Sequence, residues 1–470
     1  MIKLYSTLLC ITLVLIFTNP VYGVGIYEAE DAILKNLTVA RARKGFSGTG
    51  YVTGFKSGNQ SVTFVVEIEE SGFYDLYVGY GAPSGYKVAN LAINGEDKTD
   101  VELPEVEGGY GRQLAGSFYL AEGTNSITID KGWGWYDVDY LEIQKSNTRP
   151  SPQISTQLSN PNSNDETRRL MDFLISVYGE YIISGQQVYP NDKNVNLKQI
   201  QEVTGKTPAI LGLDFIEHST SRVEHGARSK VTREAIDWHN KGGIVTFCWH
   251  WNAPSGLGKD GEPWWSGFYT KATTFDLKKA LADTNSKDYE DLIRDMDIIA
   301  EELKILQKAG VPIIWRPLHE AEGGWFWWGA SGPESVITLW KFMHDRFTNH
   351  HGLNNLIWLW DSKSPQWYPG DEWVDMLGFS HYYQERNFDA ASGTFFKLAD
   401  LTGHTKLVAM TENGAIPDPE LALEQGIHWS YFVTWNGDFL EKWNGEEHLK
   451  KVYNHERVIT FDNLADFRKE

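Results

Sequence analysis

The chain has almost no cysteine: two in 470 residues, Cys10 and Cys248. Cys10 falls in an N-terminal segment that reads as a removable leader, so the mature chain is expected to keep Cys248 alone, which excludes an intramolecular disulfide. Without cross-links the fold must be held by its cores, with a bound metal as the one other support open to it. Basic charge is also short, with 43 Lys and Arg against 63 Asp and Glu and a formal net charge of −20. That deficit argues against a nucleic acid or an anionic membrane as partner, since both need basic surface. It fits a neutral partner and secretion equally well. The one conspicuous apolar run near the start, about Leu8 to Phe17, falls short of the roughly 20 residues that span a bilayer. No G-x-G-x-x-G fingerprint follows an early strand, and no H-x-x-x-H or Cys/His spacing points to a transition metal.

What is present describes a soluble, globular protein of two or three domains: 41% hydrophobic and 23% charged residues over a length that exceeds one typical domain. Residues 1–23 read as a secretory signal, with Lys3 in the basic region, the apolar run, and Val21-Tyr22-Gly23 at the cleavage point. A buried first strand is the alternative there. Residues 25–145 are all-β in pattern. Short alternating runs at 61–68, 73–80, 125–130 and 138–143 are separated by turn signals at Ser71-Gly72, Asn94-Gly95, Gly108-Gly109 and Glu122-Gly123, which predicts a β-sandwich of jelly-roll type. Glu28 and Glu30 are two apart on the first strand and so share a face. With Asp139 on the last strand they either converge on Ca2+, a hard ion that takes several oxygens, or are solvated charges. Trp133, Trp135 and Tyr136 crowd a Gly-rich loop before the final strand, suited to stacking on sugars or to anchoring the sandwich core. Residues 146–165, rich in Ser, Thr, Asn, Gln and Pro, read as a semi-extended linker. Asn164 then supplies N-cap chemistry for a helix with Leu170, Phe173, Leu174 and Val177 on one side.

From 166 to 470 the pattern becomes strand–helix alternation. Strand-like runs occur at 181–187, 208–215, 244–251, 312–320, 356–361, 376–382, 407–414 and 429–437. Helical segments lie between most of them, clearest at Tyr289–Ala309, Glu334–Asn349 and Glu446–Asn454. Eight such units predict an α/β protein of (β/α)8 barrel type, with a doubly wound open sheet as the competing architecture. In a barrel, function sits where strands run out into βα loops. Here those ends read Asp214-Phe215, His250-Trp251-Asn252, His319-Glu320, Trp360-Asp361, His381-Tyr382, Glu412-Asn413 and Trp435-Asn436. Polar and aromatic groups collect at one end of every strand from the second onward.

Alternation sorts these residues by face. Arg316, Leu318 and Glu320 are expected to share one face of the fourth strand, and Val408, Met410 and Glu412 one face of the seventh. Glu320 and Glu412 would then point at a common axis from opposite sides of the ring. Two carboxylates in an aromatic cleft are the equipment of glycoside hydrolysis. The aromatics that follow Glu320 (Trp325, Phe326, Trp327 and Trp328) are expected to form a sugar wall. Asp214, Glu217 and Asp361 suit salt bridges or loop anchoring. His250 and His381 suit contact with a sugar, orientation of a carboxylate, or packing. Arg316 either orients a carboxylate or fills the barrel.

The E-A-E start and the W-G-W-Y-D-V-D-Y-L-E-I ending of the first region resemble a family 35 carbohydrate-binding module. That resemblance implies a structural calcium on Glu28, Glu30 and Asp139, with Trp133 and Trp135 as ligand contacts. In the second region W-R-P-L-H-E followed by G-G-W-F-W-W, F-C-W-H-W-N-A-P at 247–254 and T-E-N-G at 411–414 resemble glycoside hydrolase family 26. Its members are retaining enzymes, mostly endo-β-1,4-mannanases, that need no cofactor for catalysis. The resemblance implies Glu320 as acid/base and Glu412 as nucleophile, with His319 orienting the acid/base and Tyr382 bonding the nucleophile. It implies Trp325 as a sugar platform, His250 as a sugar contact, and Trp264, Trp265 and Trp435 as further platforms. A β-1,3-1,4-glucanase, a β-xylanase or an inactive carbohydrate-binding barrel are the competing readings. No dockerin-like repeat or anchoring segment follows Arg468, so the expected form is a free, secreted, extracellular monomer acting on plant cell-wall polysaccharide, with neither nucleic acid nor membrane as partner.

Overall fold

A computed structural model describes residues 24–147, 151–189, 195–382 and 384–467. The expected signal, residues 1–23, and residues 148–150 of the expected linker lie outside them. Among the described residues no helix is long and apolar enough to cross a membrane.

The N-terminal unit is a sandwich of two antiparallel sheets. One runs Ile33–Lys35, Ser61–Ile68, Gly123–Trp133, Lys87–Ile93 and Glu96–Leu103 in spatial order. The other runs Thr38–Ala40, Tyr51–Thr53, Asp137–Lys145, Gly72–Gly81 and Gly111–Leu120, with Gly25–Glu28 also paired to Asp137–Lys145. The period-2 pattern decides which side is core. Along Ser61–Ile68, Val62, Phe64, Val66 and Ile68 are buried while Val65 faces outward. First and last strands pair antiparallel, with Glu28 opposite Tyr140. The strand stops there, however. Ala29–Asp31 form a 3-10 turn pinned by the fully buried Ala29, so Glu30 reaches its position from a turn and not from the strand face that alternation assigns it.

The C-terminal unit is a closed parallel barrel. Its strands are Gly185–Gln187, Ile210–Asp214, Ile244–Cys248, Ile313–Arg316, Leu356–Asp361, Met376–His381, Leu407–Asn413 and Trp429–Thr434. Each pairs with the next, and closure is made by Gln186 opposite Thr434. The expected eight strands are thus all present and the open sheet is excluded. Residues near the strand starts (Ile210, Ile244, Ile314, Ile357, Met376 and Leu407) form one cluster with Leu170, Phe173, Leu174 and Val177 of the helix Asp165–Val177. That helix begins at Asn164, whose side chain accepts the Thr167 N–H. It covers the N-terminal end of the barrel, which leaves the strand C-terminal ends for chemistry.

Two sequence expectations shift here. The polar stretch expected as a linker packs on the barrel over much of its length: Leu158 is buried in that same cluster, and Gln153 and Ser155 bond the backbone of His404 and Thr405. The last major helix runs Asp438–Tyr453 and breaks at Gly445, where φ is 70° and ψ 157°. Only the part beyond this break carries the periodicity seen in the sequence.

Candidate active site

The two carboxylates come together by routes that simple alternation does not describe. The fourth strand ends at Arg316. Leu318 and Glu320 both take φ of 53°, the left-handed region that non-glycine residues seldom adopt. Glu320 therefore stands on a strained turn and does not share a strand face with Arg316 and Leu318. On the seventh strand Leu407 and Ala409 belong to the interior cluster, so the inward set is Leu407, Ala409 and Thr411, not Val408 and Met410. Pairing with the sixth strand slips at this point, from Phe379 opposite Met410 to Ser380 opposite Glu412. This bulge brings Glu412 inward next to Thr411. It is accommodated by Gly378, where a Cβ would lie 2.3 Å from Thr411 Cγ2.

Glu412 is held on both oxygens. Arg316 Nη2 donates to Oε1, and Tyr382 O–H donates to Oε2 at 2.8 Å. Arg316 also donates from Nη1 to Asp361 Oδ2 at 2.7 Å, and Asp361 collects further bonds from Thr411 and Ser380. Burial works against the guanidinium charge, but Glu412 and Asp361 outweigh it and hold its pKa well above the usual value. Arg316 is thus the buried cation between two carboxylates, which resolves its uncertain place in the sequence. Glu320 has the opposite environment. Burial, then the negative charges of Glu412 and Asp361, push its carboxyl up to about 8. Its Oε2 accepts the Trp325 Nε1–H at 3.0 Å.

The histidines divide in the same way. His250 Nδ1 lies 2.7 Å from Asp214 Oδ2. Burial opposes the imidazolium, yet Asp214 outweighs it and the pKa rises. His319 is pushed well below the usual value by burial, Arg316 and His250, and its Nε2 sits 3.4 Å from His250 Nε2. The opposite directions of the two shifts suit a bond in which His250 Nε2 donates and His319 Nε2 accepts. His319, expected to orient Glu320, turns to His250 and its Nδ1 is buried without a partner, while the bond to Glu320 comes from Trp325. His381 is buried and pushed down to about 4 by that burial, which fits packing.

The wall of tryptophans also divides. Trp325 is 49% exposed, but Phe326, Trp327 and Trp328 are buried. Trp327 Nε1 donates to Trp251 O at 2.6 Å and Trp328 Nε1 to His319 O at 3.0 Å. Only the first of the four is available as a platform; the others are core, and the two buried indole N–H groups are satisfied by carbonyls. Trp325 is seated by Gly323, where a Cβ would lie 2.0 Å from the indole. Its carbonyl accepts the Thr270 N–H at 2.7 Å. Trp435 lies with its ring 5.8 Å from that of His250. Trp264 and Trp265 are held from the strand-two loop instead: His225 stacks on Trp264 at 3.7 Å, and Arg222 donates to the Trp265 carbonyl at 2.6 Å. Trp265 is 53% exposed. Of the competing strand-end acids, Glu217 pairs with Arg222. Thr411 and Ser380 bond Asp361, a role that nothing local in the sequence marks.

Within the sandwich, Glu28, Glu30 and Asp139 converge under the loop 47–50. Ser47 N–H donates to both Asp139 oxygens, Ser47 O–H to Glu28 Oε1, and Thr49 and Gly50 N–H to Glu30 Oε1. Glu28 Oε2 and Glu30 Oε2 are buried with no partner. Burial, with Glu28 and Glu30 adding, pushes Asp139 up to about 6. Gly48 lets the loop close over them, since a Cβ there would lie 2.5 Å from Glu30 Oε1. Unpaired carboxylate oxygens in a tight cradle are a donor set that suits a hard cation. Elsewhere in the sandwich, Trp133 and Trp135 are 64% and 71% exposed and line a cavity of about 510 Å³ with Arg43, Lys56 and Lys87. Tyr136 is instead buried, stacked on Phe55 at 4.6 Å, and supplies the core anchor.

Comparison with known proteins agrees with this geometry. Residues 159–463 match the model of glycosyl hydrolase family 26 and residues 25–146 that of carbohydrate binding module family 35. A mannan endo-1,4-β-mannosidase of Thermothelomyces thermophilus is 44% identical over 445 residues, covering 94% of this chain and 91% of that one. Mannan endo-1,4-β-mannosidase B of a Piromyces species is 36% identical over 464 residues, covering 96% and 78%. The crystal structure of a Podospora anserina GH26-CBM35 β-(1,4)-mannanase is 43% identical and superposes with a TM-score of 0.67, covering 95% of this chain and all (100%) of that one. The chain belongs to glycosyl hydrolase family 26, with a family 35 carbohydrate-binding module at its N-terminal side.

Proposed function

We propose that this protein is a retaining endo-β-1,4-mannanase, with Glu412 as nucleophile and Glu320 as acid/base. The observation that carries the assignment is the unequal setting of the two carboxylates. Glu320 is held protonated near neutrality by burial and by its negative neighbours, while Glu412 is fixed in place by hydrogen bonds from a guanidinium and a phenol. In the first step a Glu412 oxygen attacks the anomeric carbon, the glycosidic C–O bond breaks, and the Glu320 proton passes to the departing oxygen. In the second, water attacks the anomeric carbon, its proton goes to the Glu320 carboxylate, and the bond to Glu412 breaks. Two inversions give net retention. Arg316 and Tyr382 hold the nucleophile, and Trp325 both steadies Glu320 and offers its exposed face to a sugar. His250 and Trp435 line the neighbouring position, and Trp264 and Trp265 form an outlying contact.

In the sandwich, Glu28, Glu30 and Asp139 would hold a structural Ca2+, which would offset two of the three carboxylate charges and tie the 47–50 loop to the first and last strands. Trp133 and Trp135 present the flat surfaces on which a polysaccharide stacks. The leader-like residues 1–23 and the acidic composition support a secreted, extracellular enzyme.

The test is reducing-sugar release from galactomannan, glucomannan, mixed-linkage glucan and xylan, side by side, with wild type, Glu320→Ala and Glu412→Ala. The reading requires turnover on the two mannans to exceed the others and to fall by orders of magnitude in both variants. Preference for mixed-linkage glucan or xylan would refute the substrate, and wild-type turnover by either variant would refute the residues.

A further inference from the structure

The whole sequence contains two Asn-x-Ser/Thr triplets, Asn36-Leu37-Thr38 and Asn59-Gln60-Ser61. The fold brings them together. Asn36 Nδ2 donates to the Asn59 carbonyl at 3.1 Å, and Gln60 Nε2 donates back to the Asn36 carbonyl at 3.1 Å. Both asparagines are exposed. Asn36 sits at φ 55°, in the turn that leaves Ile33–Lys35 and enters Thr38–Ala40. Those are the outermost strands of the two sheets on the same side of the sandwich.

Such strands present unpaired backbone N–H and C=O groups to any other chain, and proteins cover or charge them to prevent edge-to-edge association. Lys35 is exposed here, but so is Ile33, at 62%, which makes this edge partly apolar. From these observations we infer that Asn36, with Asn59 beside it, is an N-glycosylation site whose sugar covers the open edges of both sheets. The inference rests on the secretory reading of residues 1–23, because the donor, a lipid diphosphate-linked oligosaccharide, is met only on that route. In the transfer the anomeric C–O bond to the diphosphate breaks and a C–N bond forms to Nδ2. One amide hydrogen leaves as a proton and the lipid diphosphate departs. One Nδ2 hydrogen stays on the modified side chain, a donor for the Asn59 carbonyl that Asn36 bonds in the folded turn.

Asparagine also suits a left-handed turn for its own sake, and the test separates the two roles. The full chain is produced in a yeast host behind that host's own leader and digested with peptide-N-glycosidase in heavy-oxygen water, so that each formerly glycosylated Asn becomes a labelled Asp. Secretion under residues 1–23 is scored separately, so that failure of the secretory reading and failure of this one are told apart. Wild type is expected to carry the label at Asn36 and Asn59. Thr38→Val, which keeps Asn36 and suits an exposed strand position, loses it at Asn36 alone, and Ser61→Ala loses it at Asn59 alone. Folded wild type trimmed of its sugar is expected to aggregate faster on heating than untrimmed protein. An unlabelled Asn36 in secreted wild type overturns the site, and equal aggregation rates overturn its role as a cover for the edges.

Discussion

Replacing Glu320 with Gln removes a carboxyl that the fold keeps protonated, and this makes stability as well as catalysis depend on pH in a defined direction. Its pKa is raised from the ordinary 4.5 to about 8 by burial and by Glu412 and Asp361. Below pH 4.5 the group is protonated in both folded and unfolded chains, and its stabilising contribution is fully present. As pH rises toward 8 the unfolded chain ionises while the folded one does not, so that contribution is lost progressively. The full displacement corresponds to about 5 kcal/mol at about 1.4 kcal/mol per pH unit. Glu320 keeps part of its surface open to the cleft, and screening by water there reduces the expected effect to about 2 kcal/mol. The amide that replaces the carboxyl has no proton to lose and keeps an oxygen for the Trp325 N–H. The melting temperature of Glu320→Gln relative to wild type should therefore climb by a few degrees between pH 4.5 and 8 and level off above. Differential scanning calorimetry across that range measures it. A difference that is flat, or that shrinks as pH rises, would refute the account of how Glu320 stays protonated.

The other predictions concern the supports of the two carboxylates and the sandwich. Tyr382→Phe removes one bond to the Glu412 carboxylate. At about 1.5–3 kcal/mol for a hydrogen bond to a charged group, kcat should fall about 10- to 100-fold with the melting temperature nearly unchanged. Arg316→Met leaves Asp361 and Glu412 buried without their cation, and loss of one partner of a buried pair costs about 3–5 kcal/mol; thermal unfolding should show that loss together with near-complete loss of turnover. Chelation of calcium should lower the melting temperature of wild type. Glu28→Gln with Glu30→Gln should abolish this response while leaving kcat on soluble mannan unchanged.

The barrel was legible because its strands are apolar runs ending in polar and aromatic residues, and that pattern survives in Leu356–Asp361 and Leu407–Asn413. The pair Glu320 and Glu412 could be named from the same strand ends, but the geometry that joins them could not. Alternation holds only while the strand is regular, and the chain leaves it at Leu318 and Glu320 and again at the bulge before Glu412. The aromatics of 325–328 are alike in sequence. Three of the four rings are nonetheless buried, and the Trp327 N–H is satisfied by the Trp251 carbonyl, 76 residues away in sequence. Glu30 was placed on a strand because nothing local shows that Ala29 turns the chain inward. Asp361 is legible as a salt-bridge acid, and it pairs with Arg316; its bonds from Thr411 and Ser380 are not, because those are ordinary residues until the barrel closes around them.

The central claim, that Glu412 forms a covalent bond to the sugar while Glu320 manages the proton, is tested most directly by trapping the intermediate. A 2-deoxy-2-fluoro mannoside with a good leaving group slows the second step, and peptide mapping by mass spectrometry locates the adduct. The account predicts one sugar per chain on the peptide that carries Glu412, with wild-type hydrolysis giving products of retained configuration by proton NMR. An adduct on another residue, or a product of inverted configuration, would contradict it.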